Sequence, residues 1–453
     1  MKKLSGRTWF VLLFTILLAA GTLILLGMYV VHGRDWASFS ANRHLYTDGR
    51  IATGSITDRN GLLLFDGETG DYAQDGAIRT ATLHAVGDEY GNIITGAKLL
   101  FSDRMGSYNP ITGVSETGNT VSLTIDAELC QTAYEALAGR SGAVGVYNYE
   151  TGEILCMVSS PSFDPYDSEE VLAGVNAGES RYDGVYLNHF LSATFTPGSI
   201  FKVVTAAAAI ERLDALEDFT YTCTGSMTVA GNQITCPSAH GSLDLASALA
   251  NSCNGAFAEL ALELGGDVLY GYAEAAGLLE GVTVDSLTSA AGRFEIAPDN
   301  SSELAWSGVG QSTNLVNPCA ELVLMGCIAG EGSASEPTLL HSVTSSIGLP
   351  VEGVSAGTAS IGWSEETCQA LKALMRNNVL THYGQEPFGD LAVCAKSGTA
   401  EVGSGLEPHA WFVGFLDDPS NPYAFVVLVE NGGSGSTVAG SIAATVLNEL
   451  CGD

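Results

Sequence analysis

Pro197-Gly198-Ser199-Ile200-Phe201-Lys202-Val203-Val204 sets a turn signal against the start of an apolar helix, with a serine three residues ahead of a lysine. Residues three apart on a helix share a face. Ser199 and Lys202 therefore predict a nucleophile beside an amine that takes its proton, and burial near Val203, Val204 and Ala206 lowers that lysine's pKa. The helix N-terminus adds positive potential where negative charge develops. The pattern also suits a helix N-cap followed by a surface lysine, so other features must decide.

Basic residues are scarce around it. After Arg140 the chain carries only Arg181, Lys202, Arg212, Arg293, Lys372, Arg376 and Lys396. Lys396 opens Lys396-Ser397-Gly398-Thr399, which follows the apolar run Leu391 to Ala395. A lysine and two hydroxyls on a strand edge can bind a carboxylate, and Gly398 lets a ligand approach closely. A protective lysine on an ordinary edge strand gives the same pattern. A third element, Ser-x-Asn, occurs at Ser40-Ala41-Asn42, Ser107-Tyr108-Asn109, Ser252-Cys253-Asn254 and Ser312-Thr313-Asn314. Ser252 and Asn254 interrupt two apolar stretches, Leu245 to Ala250 and Ala256 to Leu264, where polar groups need a reason. Ser312, after Gly308 to Gln311, is the rival.

Outward from these motifs the chain divides. Trp9 to Val31 is an uncharged apolar run of roughly 34 Å at helical rise, against roughly 30 Å of hydrocarbon. It predicts a membrane anchor over residues 9–31. Lys2, Lys3 and Arg7 precede it, so the positive-inside bias puts residues 1–8 in the cytoplasm and the rest outside. A cleaved signal is the alternative, with Leu18-Ala19-Ala20-Gly21 as the cut region. Residues 32–120, polar and punctuated by turns at Asp58-Arg59-Asn60-Gly61 and Tyr108-Asn109-Pro110, predict a small β-rich pedestal domain.

From residue 121 to 453 the pattern is that of a larger α+β domain. Val121 to Ile125 alternates as a strand, Asp126 is placed to cap a helix through Leu129, Ala133 and Leu137, and Gly142–Tyr147 and Glu153–Val158 read as strands. Tyr182 to Tyr383 is mostly helical. Ala392–Ala395, His409–Phe415 and Tyr423–Val429 return to strand, before a last helix from Val438 to Leu450. One sheet built from both ends of the domain, flanked by helices, is the expectation.

Composition excludes some classes. Eighteen basic residues against 51 acidic ones give a net charge of -33, which repels nucleic acid. Ten cysteines mostly sit singly in apolar runs, as at Cys130, Cys156, Cys319, Cys327 and Cys394, and read as small buried hydrophobes. Only Cys223 and Cys236 flank a turn-rich stretch suited to a disulfide. No metal-ligand spacing accompanies them, and no cofactor is expected.

Ser-x-x-Lys, Ser-x-Asn and Lys-Ser-Gly in this order resemble the penicillin-binding proteins and serine β-lactamases. The likeness extends to Thr151-Gly152-Glu153-Ile154-Leu155, Ser160-Pro161-Ser162-Phe163-Asp164-Pro165, Gly308 to Gln311, and Trp411-Phe412-Val413-Gly414. Arg50 and Asp58 to Gly61 resemble the opening of the family's pedestal, and the short preceding region resembles the monofunctional, class B members. The resemblance implies the penicillin-binding transpeptidase fold, an antiparallel sheet flanked by helices with an all-helical subdomain. It implies a D,D-transpeptidase that cross-links peptidoglycan and is inhibited by β-lactams. Ser199 would attack, Lys202 act as base, Ser252 pass the proton and Asn254 hold the peptide amide. Lys396, Ser397, Gly398 and Thr399 would bind the carboxylate, with an oxyanion hole from the Ser199 and Thr399 N–H groups. Implied partners are stem peptides on lipid-linked nascent glycan and a membrane-embedded polymerase of the shape, elongation, division and sporulation type. The rivals are a β-lactamase or D,D-carboxypeptidase, and a non-catalytic sensor or scaffold. A sensor lacks an output domain in the short tail.

Overall fold

The computed structural model describes residues 2–38, 54–106, 108–109, 113–114, 118–214, 216–295, 300–403 and 405–452. Arg50 and the Ser40-Ala41-Asn42 match lie outside them. The first helix, Lys2–Ser38, contains a 24-residue apolar span, Gly6–Tyr29, whose apolar side chains are not buried in the fold. A helix this long and apolar has the length and composition needed to cross a bilayer, as the expected anchor requires.

The central sheet is antiparallel throughout. Its strands run Val393–Ala400, His409–Leu416, Tyr423–Val429, Gly142–Asn148 and Ile154–Ser160 from edge to edge. Both ends of the domain therefore build it, as the sequence predicts. Nearly every residue on these strands is buried on both faces, because helices cover each side. Ala127–Leu137 and Gly440–Cys451 pack together on one side, the first capped where the Asp126 carboxylate accepts from the Glu128 and Leu129 N–H groups. Pro318–Ala329 lies against the sheet on the other side and is buried all round. It carries Glu321, whose carboxyl burial pushes up to about 8.

Two expectations change. The segment before residue 121 is not β-rich among its described residues: the strands Ile56–Thr57 and Leu63–Phe65 and the pair Tyr108–Asn109 with Gly113–Val114 are short, while Gly76–Val86, Ala97–Leu100 and Ser102–Met105 are helical. Asp75 caps the longest of these. Nor is residue 120 a clean boundary. Thr120–Leu123 pairs in parallel with Ile56–Thr57 and antiparallel with Leu340–Thr344, so one sheet joins the two regions, and one continuous core runs through both.

The helical region is not all-helical either. Between the helices Lys202–Arg212 and Leu245–Ala250 lie four short strands, Tyr221–Cys223, Ser226–Val229, Asn232–Thr235 and Gly241–Leu243, paired as two hairpin-like ladders. Alternating Thr, Val and Ile with glycine turns is strand chemistry that the surrounding apolar helices mask.

Candidate active site

Ser199 sits in a tight turn at the mouth of the helix that begins at Lys202. Gly198–Phe201 is a 3₁₀ turn that runs directly into the helix Lys202–Arg212. In 3₁₀ geometry residues i and i+3 eclipse, and Lys202 Nζ lies 3.0 Å from Ser199 Oγ. The turn is clamped against the edge strand. A Cβ on Gly198 (φ +55°) would lie 2.8 Å from Thr399 O, and one on Gly398 would lie 2.9 Å from Pro197 O. Both positions need glycine for this approach. The buried Trp411 indole donates to Thr196 O at 3.0 Å and fixes the turn from below.

The Ser-x-Asn element is Ser252-Cys253-Asn254, in the break between the helices Leu245–Ala250 and Asn254–Leu264. Ser252 adopts φ +51°, uncommon for a residue with a side chain. This turn aims three oxygens at Lys202: Nζ lies 2.7 Å from Ser252 O, 3.0 Å from Ser252 Oγ and 2.7 Å from Asn254 Oδ1. The rival Ser312-Thr313-Asn314 is elsewhere, with Asn314 buried and donating to Ser307 O.

Lys396 completes the cluster. Its Nζ donates to Ser252 Oγ at 3.1 Å and to Ser397 O at 2.9 Å. Both lysines are fully buried. Burial pushes Lys202 well below the usual ammonium range, and the Lys396 charge pushes it further. Burial alone takes Lys396 to about 7.

That difference orders the protons. A neutral Lys202 has two N–H donors and one lone pair. Its two shortest contacts are Ser252 O and Asn254 Oδ1, which can only accept and so take both N–H groups. The lone pair is left for a hydroxyl, and Ser199 O–H is positioned to donate into it. This is the arrangement a serine nucleophile requires.

Ser199, Ser252, Asn254, Ser397 and Thr399 line a cleft of about 490 Å³, with Trp306, Gln311 and His382 on its walls. One contributor has no motif in the sequence. The Tyr383 hydroxyl accepts from the Ser397 N–H at 2.9 Å and lies 3.0 Å from Ser397 Oγ and 3.5 Å from Lys396 Nζ. It ends an irregular helical turn, Val379–Tyr383, that only the folded chain brings to the strand.

The disulfide does not form. Cys223 and Cys236 are free thiols, and Cys236 Sγ faces Cys253 Sγ at 3.8 Å instead. The strand ending at Cys223 pairs with Gly241–Leu243, which brings in His240 and leaves no exclusive partner for either thiol.

Comparison with known proteins agrees with this geometry. Peptidoglycan D,D-transpeptidase PbpA of Mycolicibacterium smegmatis is 29% identical over 371 residues, spanning 77% of this chain and 74% of that protein. The D,D-transpeptidase domain of a peptidoglycan glycosyltransferase from Eggerthella lenta superposes with a TM-score of 0.72 at 26% identity, over 88% of this chain and 99% of that one. The penicillin G acyl-enzyme complex of penicillin-binding protein A from M. tuberculosis gives a TM-score of 0.74 at 25% identity, over 88% and 100%. Residues 142–450 match the penicillin-binding protein transpeptidase domain. With more than half its length inside that match, the chain belongs to the penicillin-binding protein transpeptidase family.

Proposed function

We propose that this protein is a membrane-anchored peptidoglycan D,D-transpeptidase acting through a Ser199 acyl-enzyme. The observation that carries the reading is the fully buried Lys202 amine within 3.0 Å of both the Ser199 and Ser252 hydroxyls. Ser199 Oγ attacks the carbonyl between the two terminal D-alanines of a stem peptide and gives its proton to Lys202. The Ser199 and Thr399 N–H groups hold the oxyanion. As the C–N bond breaks, the proton passes through the Ser252 hydroxyl to the leaving amine. Lys396, Ser397 and Thr399 hold the terminal carboxylate, Gly398 gives it room, and Asn254 holds the peptide amide. An amine from a neighbouring strand then attacks the ester, loses its proton to Lys202 and frees Ser199. No metal or organic cofactor takes part in these steps.

The substrate is a stem peptide on lipid-linked nascent glycan, so the cleft faces outward. The basic residues Lys2, Lys3 and Arg7 ahead of the span favour that orientation. A membrane-embedded glycan polymerase of the shape, elongation, division and sporulation type would supply the strands, and co-purification from solubilised membranes tests that partnership.

A β-lactam mimics the D-alanyl-D-alanine end and tests the chemistry. Intact mass should rise by one adduct, and Ser199→Ala should abolish it. The adduct should last many minutes. Rapid turnover of a chromogenic β-lactam would instead identify a hydrolase, and folded protein that never acylates would identify a scaffold.

A further inference from the structure

Beside the catalytic cleft, one group of side chains has no part in the acyl transfer. The Sγ atoms of Cys223, Cys236 and Cys253 and a ring nitrogen of His240 all lie within 4.8 Å of one another. Two of the distances match the edges of a metal tetrahedron. Cys236 Sγ to Cys253 Sγ is 3.8 Å and Cys223 Sγ to His240 Nδ1 is 3.4 Å. A tetrahedral Zn(II) with Zn–S of about 2.3 Å and Zn–N of about 2.0 Å sets edges of about 3.8 Å and about 3.5 Å for those same pairs. A disulfide needs sulfurs about 2.05 Å apart, and three cysteines leave one over in any pairing.

A second observation points the same way. The segment Tyr221–Leu243 has almost no core of its own: Cys223, Val229, Ile234 and Leu243 are its only buried apolar side chains. Two-stranded ladders this small are marginal alone, and small units of this kind are commonly held by a metal. The four groups also join separate pieces. Cys223 ends one strand, Cys236 follows another, His240 precedes a third, and Cys253 is the N-cap of Asn254–Leu264. Cys253 is moreover the residue between Ser252 and Asn254, and Asn254 Nδ2 donates to Thr235 O at 2.7 Å, next to Cys236.

We propose that Cys223, Cys236, His240 and Cys253 bind one structural Zn(II) ion, which ties the Tyr221–Leu243 segment to the turn that carries Ser252 and Asn254. Three sulfurs and one imidazole nitrogen, partly enclosed, form a closed four-coordinate donor set that selects zinc over hard cations. The ion takes no part in acyl transfer. Its effect is to fix the left-handed Ser252 turn from behind.

The test is metal content of the full-length chain purified in detergent without chelator, measured by inductively coupled plasma mass spectrometry. About one zinc per chain is expected for the wild type and for Cys451→Ser, a cysteine outside the group, and less than about a tenth for Cys253→Ser. Should Cys253→Ser fail to accumulate, His240→Cys keeps four donors and should retain about one zinc. Exchange of the wild type into Co(II) should give the intense visible bands of tetrahedral thiolate coordination, and His240→Cys should shift them. Wild type without zinc, iron in its place, a disulfide between any two of the three cysteines, or zinc unchanged in Cys253→Ser would each overturn the proposal.

Discussion

Lys202 and Lys396 meet on one oxygen: their Nζ atoms lie 3.0 Å and 3.1 Å from Ser252 Oγ. Burial disfavours the charge on both amines, and the Lys396 charge further disfavours one on Lys202, which makes Lys202 the neutral partner. The hydroxyl between them is the connection through which a proton moves from one side of the cleft to the other.

Ser252→Ala removes that connection and leaves the lysines in place. Acylation by a fluorescent penicillin should fall by about 100-fold to 10,000-fold, the range for losing a proton-transfer group. The thermal midpoint should move little, because Ser252 O and Asn254 Oδ1 still take the Lys202 N–H groups. A large loss of stability with normal residual acylation would contradict the relay.

The same pair sets a pH profile. Lys202 must be neutral to act as base, so acylation rises with pH as it loses its proton, well below the ordinary lysine range. Lys396 must be charged to attract the carboxylate, so the rate falls as pH passes about 7. Second-order acylation rates from about pH 5 to about pH 9 should pass through a maximum near or below neutrality. A monotonic rise into the alkaline range would refute this ordering.

Tyr383→Phe leaves the Ser397 N–H without its acceptor and frees the Ser397 hydroxyl. An unmet buried donor costs about 1–3 kcal/mol. Acylation efficiency should drop by roughly 5-fold to 30-fold, the equivalent of about 1–2 kcal/mol, mainly through weaker capture of the β-lactam. Stopped-flow separation of binding from acylation measures the split.

Glu321 gives a stability prediction of definite sign. Its folded pKa is about 8 against an ordinary value of 4.5, so the folded state holds a proton that the unfolded chain releases. The resulting penalty is absent below the unfolded pKa, grows as pH rises and levels off above about 8. Glu321→Gln removes it and should stabilise by up to about 3 kcal/mol at pH 7. Thermal melts should show the gain shrinking towards pH 4.

Much of this was legible in the residues. The two lysine motifs found their places because each couples a charge to an apolar run, and burying a charge leaves few harmless explanations. Ser252 and Asn254, which the structure brings to Lys202, stood apart in the sequence for a related reason: they break an apolar helix, whereas Ser312 and Asn314 lie in a loop. Tyr383 was not legible, since its contact with Ser397 depends on how an irregular turn docks on a strand. Nor was the cysteine–histidine group, because Cys223 and Cys253 lie far apart in sequence and meet only through pairing with Gly241–Leu243. The helix Gly76–Val86 was hidden by the glycine turns on either side of it.

The central sheet has a temporal consequence. Gly142–Asn148 pairs with Tyr423–Val429, strands separated by most of the catalytic region. A chain synthesised from its N-terminal end presents residue 148 long before residue 423, and such distant pairing closes slowly. Ser199 and Ser252 emerge first, and Lys396 reaches them last. The chain is therefore unarmed while it is being made: until the final strands dock, Ser199 has no complete cleft and the half-made sheet keeps its edges open.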